Sequence, residues 1–190
     1  MGPDRDDARR LREGDPTGLE GLIARHQDRL FRYLQRFLGD QTMAEDVFQQ
    51  TWLRVAERIR RFDATRPFAP WLLAVARNLA LDHFRRYRPQ SLDEAVAGGA
   101  PVEPSSDQLT DHPIEQLLAT ERNERLAAAV AELPVSDREV LALRFEEDLP
   151  LPRLAEMLGV ALPTAKARLY RALTRLRARL LARARREDWT

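Results

Sequence analysis

The chain has 190 residues and no cysteine. That absence excludes a disulfide framework, a thiolate metal site and a cysteine nucleophile. Histidine is scarce: His26, His83 and His112 are scattered, without HExxH spacing or a second ligand beside any of them. Glycine is also sparse, and no Gly-rich phosphate loop occurs. Acidic residues come in adjacent pairs (Asp6-Asp7, Asp93-Glu94, Glu146-Glu147), which a helix would direct to different faces; they read as solvated charge. No run approaches the ~18 consecutive apolar residues of a membrane span. The start, MGPDRDDARR, lacks the apolar stretch of a signal peptide. These absences predict no metal, no cofactor, no catalytic chemistry, no membrane insertion and a reducing, cytoplasmic setting.

What is present is charge, placed unevenly. Formal net charge is only +1, yet no acid stands between Glu156 and Glu187. That stretch reads as a short helix, a turn at Gly159 and a long second helix. Leu154, Ala155 and Leu158 give the first helix an apolar side, and Gly159 follows where a helix end needs a positive φ. Ala165, Leu169, Ala172, Leu173, Leu176 and Leu180 keep a helical period in the second. Its other faces carry Lys166, Arg168, Arg171, Arg175, Arg177, Arg179 and Arg183. Two helices joined by a tight Gly turn, the second cationic, match a helix-turn-helix that lays its second helix in the major groove. Double-stranded DNA is the partner this predicts. A calmodulin-like target or a membrane-surface helix is the alternative; the latter wants bulky aromatic anchors, and this apolar face is Leu and Ala.

A boundary separates this module from what precedes it. Residues 89–113, PQSLDEAVAGGAPVEPSSDQLTDHP, hold four prolines, a Gly-Gly pair and five acids without Lys or Arg, which is linker composition. The expected organisation is a tail over 1–16, a helical module over 17–88, the flexible acidic linker over 89–113 and a second helical module over 114–186. In the first module Leu19, Leu22, Ile23, His26, Leu30, Tyr33, Leu34 and Phe37 keep a helical period, and Gly39-Asp40 stops it. Thr42 and Glu45 suggest a capping box for the next helix, which continues through Val47, Phe48, Thr51, Val55 and Ile59. In the second module a helix is expected from Ile114 to Leu133. Ser136 is expected to cap the next, with Glu139 at the box position and an end near Glu147. Pro150 and Pro152 predict a late start, near Arg153, for the first helix of the helix-turn-helix. No segment alternates with period two, so the fold is predicted all-α.

Residues 62–88 carry a second concentration of chemistry. A loop, FDATRPFAP, with Arg66 and Phe68 leads into a helix bearing Trp71, Arg77, Asn78, Arg85 and Arg86. Rings beside guanidinium groups suit single-stranded nucleic acid, the rings for bases and the cations for phosphates. Asn78 has the paired donor and acceptor to read a base edge. Trp71 has two readings at this point, base stacking or core packing. Asp82 reads as an intrahelical partner of Arg85 or Arg86.

Taken in order, AEDVFQQTWLRVAERIRRF, FAPWLLAVARNLALDHFRR, the acidic linker and ELPVSDREVLALRFEEDLPLPRLAEMLGVALPTAKARLYRALTRLR resemble a bacterial sigma factor. The resemblance is to the extracytoplasmic-function (ECF) branch, which keeps only conserved regions 2 and 4, and it spans residues 17–183. It implies that Asp46, Gln49 and Thr51 dock on core RNA polymerase. Arg66, Phe68, Trp71, Arg77, Asn78, Arg85 and Arg86 would hold the melted −10 element. Thr164, Lys166, Arg168, Arg171 and Arg175 would contact the −35 element. It further implies promoter DNA and an anti-sigma factor as partners. The chain departs from the family pattern at Pro163, where a small residue is common, and at Ala165, where a β-branched one is. The runner-up reading is a stand-alone helix-turn-helix regulator whose first module senses a ligand or dimerises.

Overall fold

The computed structural model describes residues 2–87 and 123–187, and every described element is helical. The linker and residues 114–122 lie outside the described residues. Two compact units result, the first built on residues 2–34 and 42–87, the second on 35–41 and 123–187.

In the first unit α1 is Pro3–Arg12, α2 Thr17–Leu38, α3 Gln41–Arg58 and α4 Phe68–Tyr87, with a 3-10 turn at Ile59–Arg61. The apolar periods set their inner faces. Leu22, Leu30, Tyr33 and Leu34 of α2, Ala44, Val47, Trp52 and Val55 of α3, and Phe68, Leu72, Leu73, Ala76, Ala80 and Phe84 of α4 are buried. Each large aliphatic or aromatic side chain removed from water contributes about 1.5–3 kcal/mol. Phe31 of α2 meets Phe48 of α3 edge-on at 5.4 Å. The helix α3 begins at Gln41, so Thr42 lies inside its first turn and does not cap it.

The expected tail is instead a helix docked on α2. Ala8 and Asp7 of α1 are buried. Arg25 of α2 bonds Asp4 Oδ1 at 2.8 Å and also meets Asp7, while Asp4 Oδ2 lies 3.0 Å from His26 Nε2. His26, with its side chain 16% exposed, is thus packed as a helix-face histidine should be, but through an acid of α1. The close approach depends on small residues in α2. A Cβ on Gly18 would overlap the Asp7 carbonyl oxygen and stand 2.7 Å from the Leu11 nitrogen.

In the second unit the described part of α5 is 123–131; α6 is Val135–Phe145, α7 Leu151–Leu158 and α8 Leu162–Glu187. Pro134 stands at the N-cap of α6 without a side-chain cap, so Ser136 sits within the helix, which ends at Phe145, before Glu147. The helix α7 starts earlier than expected, at Leu151, because Pro152 falls in the first turn, where a missing N–H is harmless. It ends as expected: Gly159 takes φ 66°, and the Val160 amide donates to the Ala155 carbonyl at 3.1 Å. Both α6 and α7 pack on α8.

Ala is favoured over Gly in a helix by about 1 kcal/mol, so Gly18→Ala would stabilise α2 were α1 a free tail. With α1 docked, the added methyl is expected to expel it, with a net loss of about 1–3 kcal/mol. Denaturant unfolding, with tryptic cleavage after Arg5 and Arg9 as a local probe, reads the outcome; a gain in stability would contradict the docked helix.

Candidate nucleic-acid interfaces

The loop of the first unit runs over 63–67 between two buried rings, Phe62 and Phe68. It is held as a turn by Asp63. The Thr65 amide and hydroxyl donate to Asp63 Oδ1 at 3.0 and 2.7 Å, and the Arg66 amide donates to the Asp63 carbonyl at 3.0 Å. The Thr65 hydroxyl, then its amide, holds the Asp63 carboxyl below the usual carboxylate range. Arg66 is exposed and lies 3.6 Å from Asp63 Oδ2.

Beneath the loop lies an aromatic platform. Phe62, Phe68 and Trp71 are mutually packed, with centroids 5.1 to 5.7 Å apart. Phe68 is only 2% exposed, so it cannot stack on a base as expected; it supports Trp71. Trp71 is half-buried, which merges its two readings: it rests on Phe62 and Phe68 while part of its surface stays open. Asn78 is exposed, and it stands two helical turns from Trp71 on the same side of α4. Arg85 lies two turns further, bonded to Asp82 at 3.1 Å, and Arg86 is exposed beside it. Arg77, half-buried, points about a quarter-turn away from this line.

The outer face of α3 is polar with one exception. Glu45, Asp46, Gln49 and Gln50 are exposed, and Leu53 among them is 66% exposed. Thr51 does not belong to this face. It is fully buried, and its hydroxyl donates to the Val47 carbonyl at 2.7 Å. An internal acceptor lets a threonine sit in a core, so its expected role in polymerase docking is withdrawn. Sequence reasoning missed Leu53; its signal was a leucine flanked at helical spacing by Gln49, Gln50 and Glu57.

In the second unit α8 buries Ala165, Leu169 and Ala172. Thr164, Lys166 and Arg171 are exposed, as expected of DNA contacts, and Arg168 is half-buried. Arg175 is used differently. Its Nη1 bonds Asp137 Oδ2 at 2.7 Å, and Asp137 is only 4% exposed. A buried carboxylate without a cation is costly, so Arg175 serves the packing of α6 on α8. Further along, Arg183 Nε bonds Glu132 at 3.1 Å and Arg179 lies 3.8 Å from it. Tyr170 was missed: it is 60% exposed, with Lys166 Nζ 5.9 Å from its ring centre. An aromatic off the apolar stripe was the available signal.

Family models match both halves of the chain: sigma-70 region 2 over residues 22–90 and sigma-70 region 4 over 123–176. The ECF RNA polymerase sigma factor SigL of Mycobacterium tuberculosis is 31% identical over 85% of this chain and 88% of its own. The chain belongs to the ECF sigma factors. SigW of Bacillus subtilis, another ECF sigma factor, is 28% identical over 90% of this chain and 94% of its own. CnrH, whose structure was solved in complex with the cytosolic domain of CnrY, is 25% identical, with a TM-score of 0.66 over 95% of this chain and 99% of that one. The loop and Asn78 face fall in region 2, and the outward side of α8 in region 4. Region 2 as the first module sets aside the stand-alone regulator. Among the described residues of this ECF sigma factor, no helix is long and apolar enough to cross a membrane, and no three His, Asp or Glu side chains converge as a metal site.

Two outcomes follow for the charged groups. Arg175→Ala should cost about 1–3 kcal/mol of stability by leaving Asp137 unpaired. Lys166→Ala and Arg171→Ala should stay within about 0.5 kcal/mol, but lower the salt slope of duplex binding by about one each; the reverse pattern in unfolding and titration curves would refute the division. For the loop, the Asp63 carboxyl titrates lower folded than unfolded. Its contribution is therefore complete above the unfolded value of about 4 and is lost as pH falls through the depressed folded one. Exchange of the Thr65 and Arg66 amides should thus show no loss of turn protection between neutral pH and about pH 5; a loss in that range would contradict the Asp63 bonding.

Proposed function

We propose that this ECF sigma factor directs core RNA polymerase to specific promoters and helps open the −10 element. One observation carries the reading: the two units expose side-chain sets of different construction, rings with an amide and guanidinium groups on one and a cationic helix face on the other. The region 2 surface is an aromatic platform with an exposed amide and guanidinium groups, suited to an extruded base and its strand. The region 4 surface is a helix-turn-helix whose outward face offers Thr164, Lys166, Arg168 and Arg171, with Tyr170, to a major groove. A protein with only the second would bind a duplex; the first is useful where strands separate.

Docking to polymerase falls to the α3 face with Asp46, Gln49 and Leu53, an apolar anchor within polar surroundings. Of the cations of α4, Arg85, Arg86 and Arg77 hold phosphates, and Arg66 does so from the loop. Extruding a base costs a few kcal/mol, which stacking on Trp71 and hydrogen bonds from Asn78 offset. The chain itself performs no chemistry, takes no cofactor and works in the cytoplasm. An anti-sigma factor is the further partner; CnrH too has a protein partner, its structure having been solved in complex with the cytosolic domain of CnrY.

In vitro transcription with core polymerase over genomic fragments tests this. Start sites should share two upstream elements, and transcripts should vanish without the chain; promoter-independent initiation would sink the reading. Asn78→Ala should reduce permanganate reactivity of the melted strand by about 10-fold while closed complexes persist, and an unchanged footprint would count against that residue.

A further inference from the structure

The first helix precedes the region 2 match, which begins at residue 22. Yet it is linked to both ends of the 63–67 loop through neighbouring residues. On one side α1 packs against the Ile59–Arg61 turn, which Phe62 follows directly. On the other, Asp4 holds His26 at 3.0 Å, and the His26 ring packs on Phe68 with centroids 5.3 Å apart. Phe62 and Phe68 flank the loop, and both support Trp71.

The attachment is more than a surface ion pair, which alone contributes little. Asp4 and Asp7 converge on the one guanidinium of Arg25, and Asp7 is 7% exposed. The two glycines of α2, Gly18 and Gly21, leave the room that Asp7 occupies. A helix fixed at this depth holds what it touches, and here Asp4 meets His26 of α2, whose ring packs against Phe68, one of the rings that support Trp71. A site arranged before binding loses less freedom on binding.

We propose that α1 is a positioning element for the single-strand surface. Through Asp4, His26 and Phe68 it fixes the attitude of Trp71 and the loop, and so raises affinity for the melted −10 strand without touching DNA. The inference rests on the assignment of that surface to the −10 strand.

The test uses the full chain bound to core polymerase. Fluorescence anisotropy measures binding to a single-stranded −10 oligonucleotide from a mapped promoter and, separately, to a duplex bearing only the −35 element. Asp4→Ala and His26→Ala should each weaken single-strand binding about five- to tenfold, with duplex binding unchanged within about twofold. Asp4→Asn, which keeps one acceptor oxygen where Asp4 uses two, should recover part of the loss, and Arg9→Ala, an exposed change on the same helix, should cause none. His26→Ala leaves the Arg25 pairs intact, so it reports on the relay even where Asp4→Ala unfolds the unit. Single-strand affinity that does not fall in His26→Ala, or that falls equally with duplex affinity, overturns the proposal. A wild-type complex that does not prefer the −10 strand to a scrambled one overturns the surface assignment, and this proposal with it.

Discussion

The ion pair between Arg175 and Asp137 fixes how α8 is turned about its axis. Asp137 sits inside the second unit, where an unpaired carboxylate is disfavoured by several kcal/mol. Arg175 of α8 satisfies it at 2.7 Å. With Ala165, Leu169 and Ala172 facing the core, the rotation leaves Thr164, Lys166, Tyr170 and Arg171 outward. A helix uniformly basic in sequence therefore becomes two-sided in space: part of its charge holds the unit together and part stays open to a polyanion. In a chain of net charge +1, this segregation, rather than overall charge, is what would make the proposed DNA surface.

On the proposed assignment the two units meet nucleic acid by different physics. The outward side of α8 offers cations and hydrogen-bonding groups to a rigid duplex, so its affinity is to follow counterion release and fall steeply with salt. The region 2 surface offers a ring packed on buried rings, and in the proposed role binding would depend on the attitude of Trp71 more than on charge. Its loop is short and is held internally by Asp63, and its supports reach back through Phe68 and His26 to α1. Rigidity is the common requirement, and each unit meets it with buried or half-buried polar pairs.

Much of this was legible in the sequence. The apolar periods of α2, α4 and α8 and the stop at Gly159 were plain because each depends on local geometry alone. Thr164, Lys166, Asn78 and Arg86 stand exposed on the expected helices. What the sequence concealed was which polar groups the fold uses internally. Thr51 keeps the apolar period of α3, but the resemblance assigned it to the polymerase face, and its hydroxyl instead bonds the carbonyl one turn back. Arg175 is indistinguishable from Arg171 until Asp137 is placed beside it, and Phe68 from Trp71 until one is found beneath the other. The helix starts at Gln41, Val135 and Leu151 were displaced because the prolines and backbone, not Thr42 or Ser136, set them. The first helix was unreadable as a docked element because its acids find their partners only across space.

The central claim is that one chain holds a melted strand with its first unit and an upstream duplex with its second, within one polymerase complex. A photo-cross-linking side chain at Arg66 or at Ala167, both exposed, tests it directly on a mapped promoter. The account predicts that the label at 66 marks the non-template strand of the −10 element only when core polymerase is present. It predicts that the label at 167 marks the −35 duplex in the same complexes. Labels at both positions marking one duplex site, with or without polymerase, would contradict it.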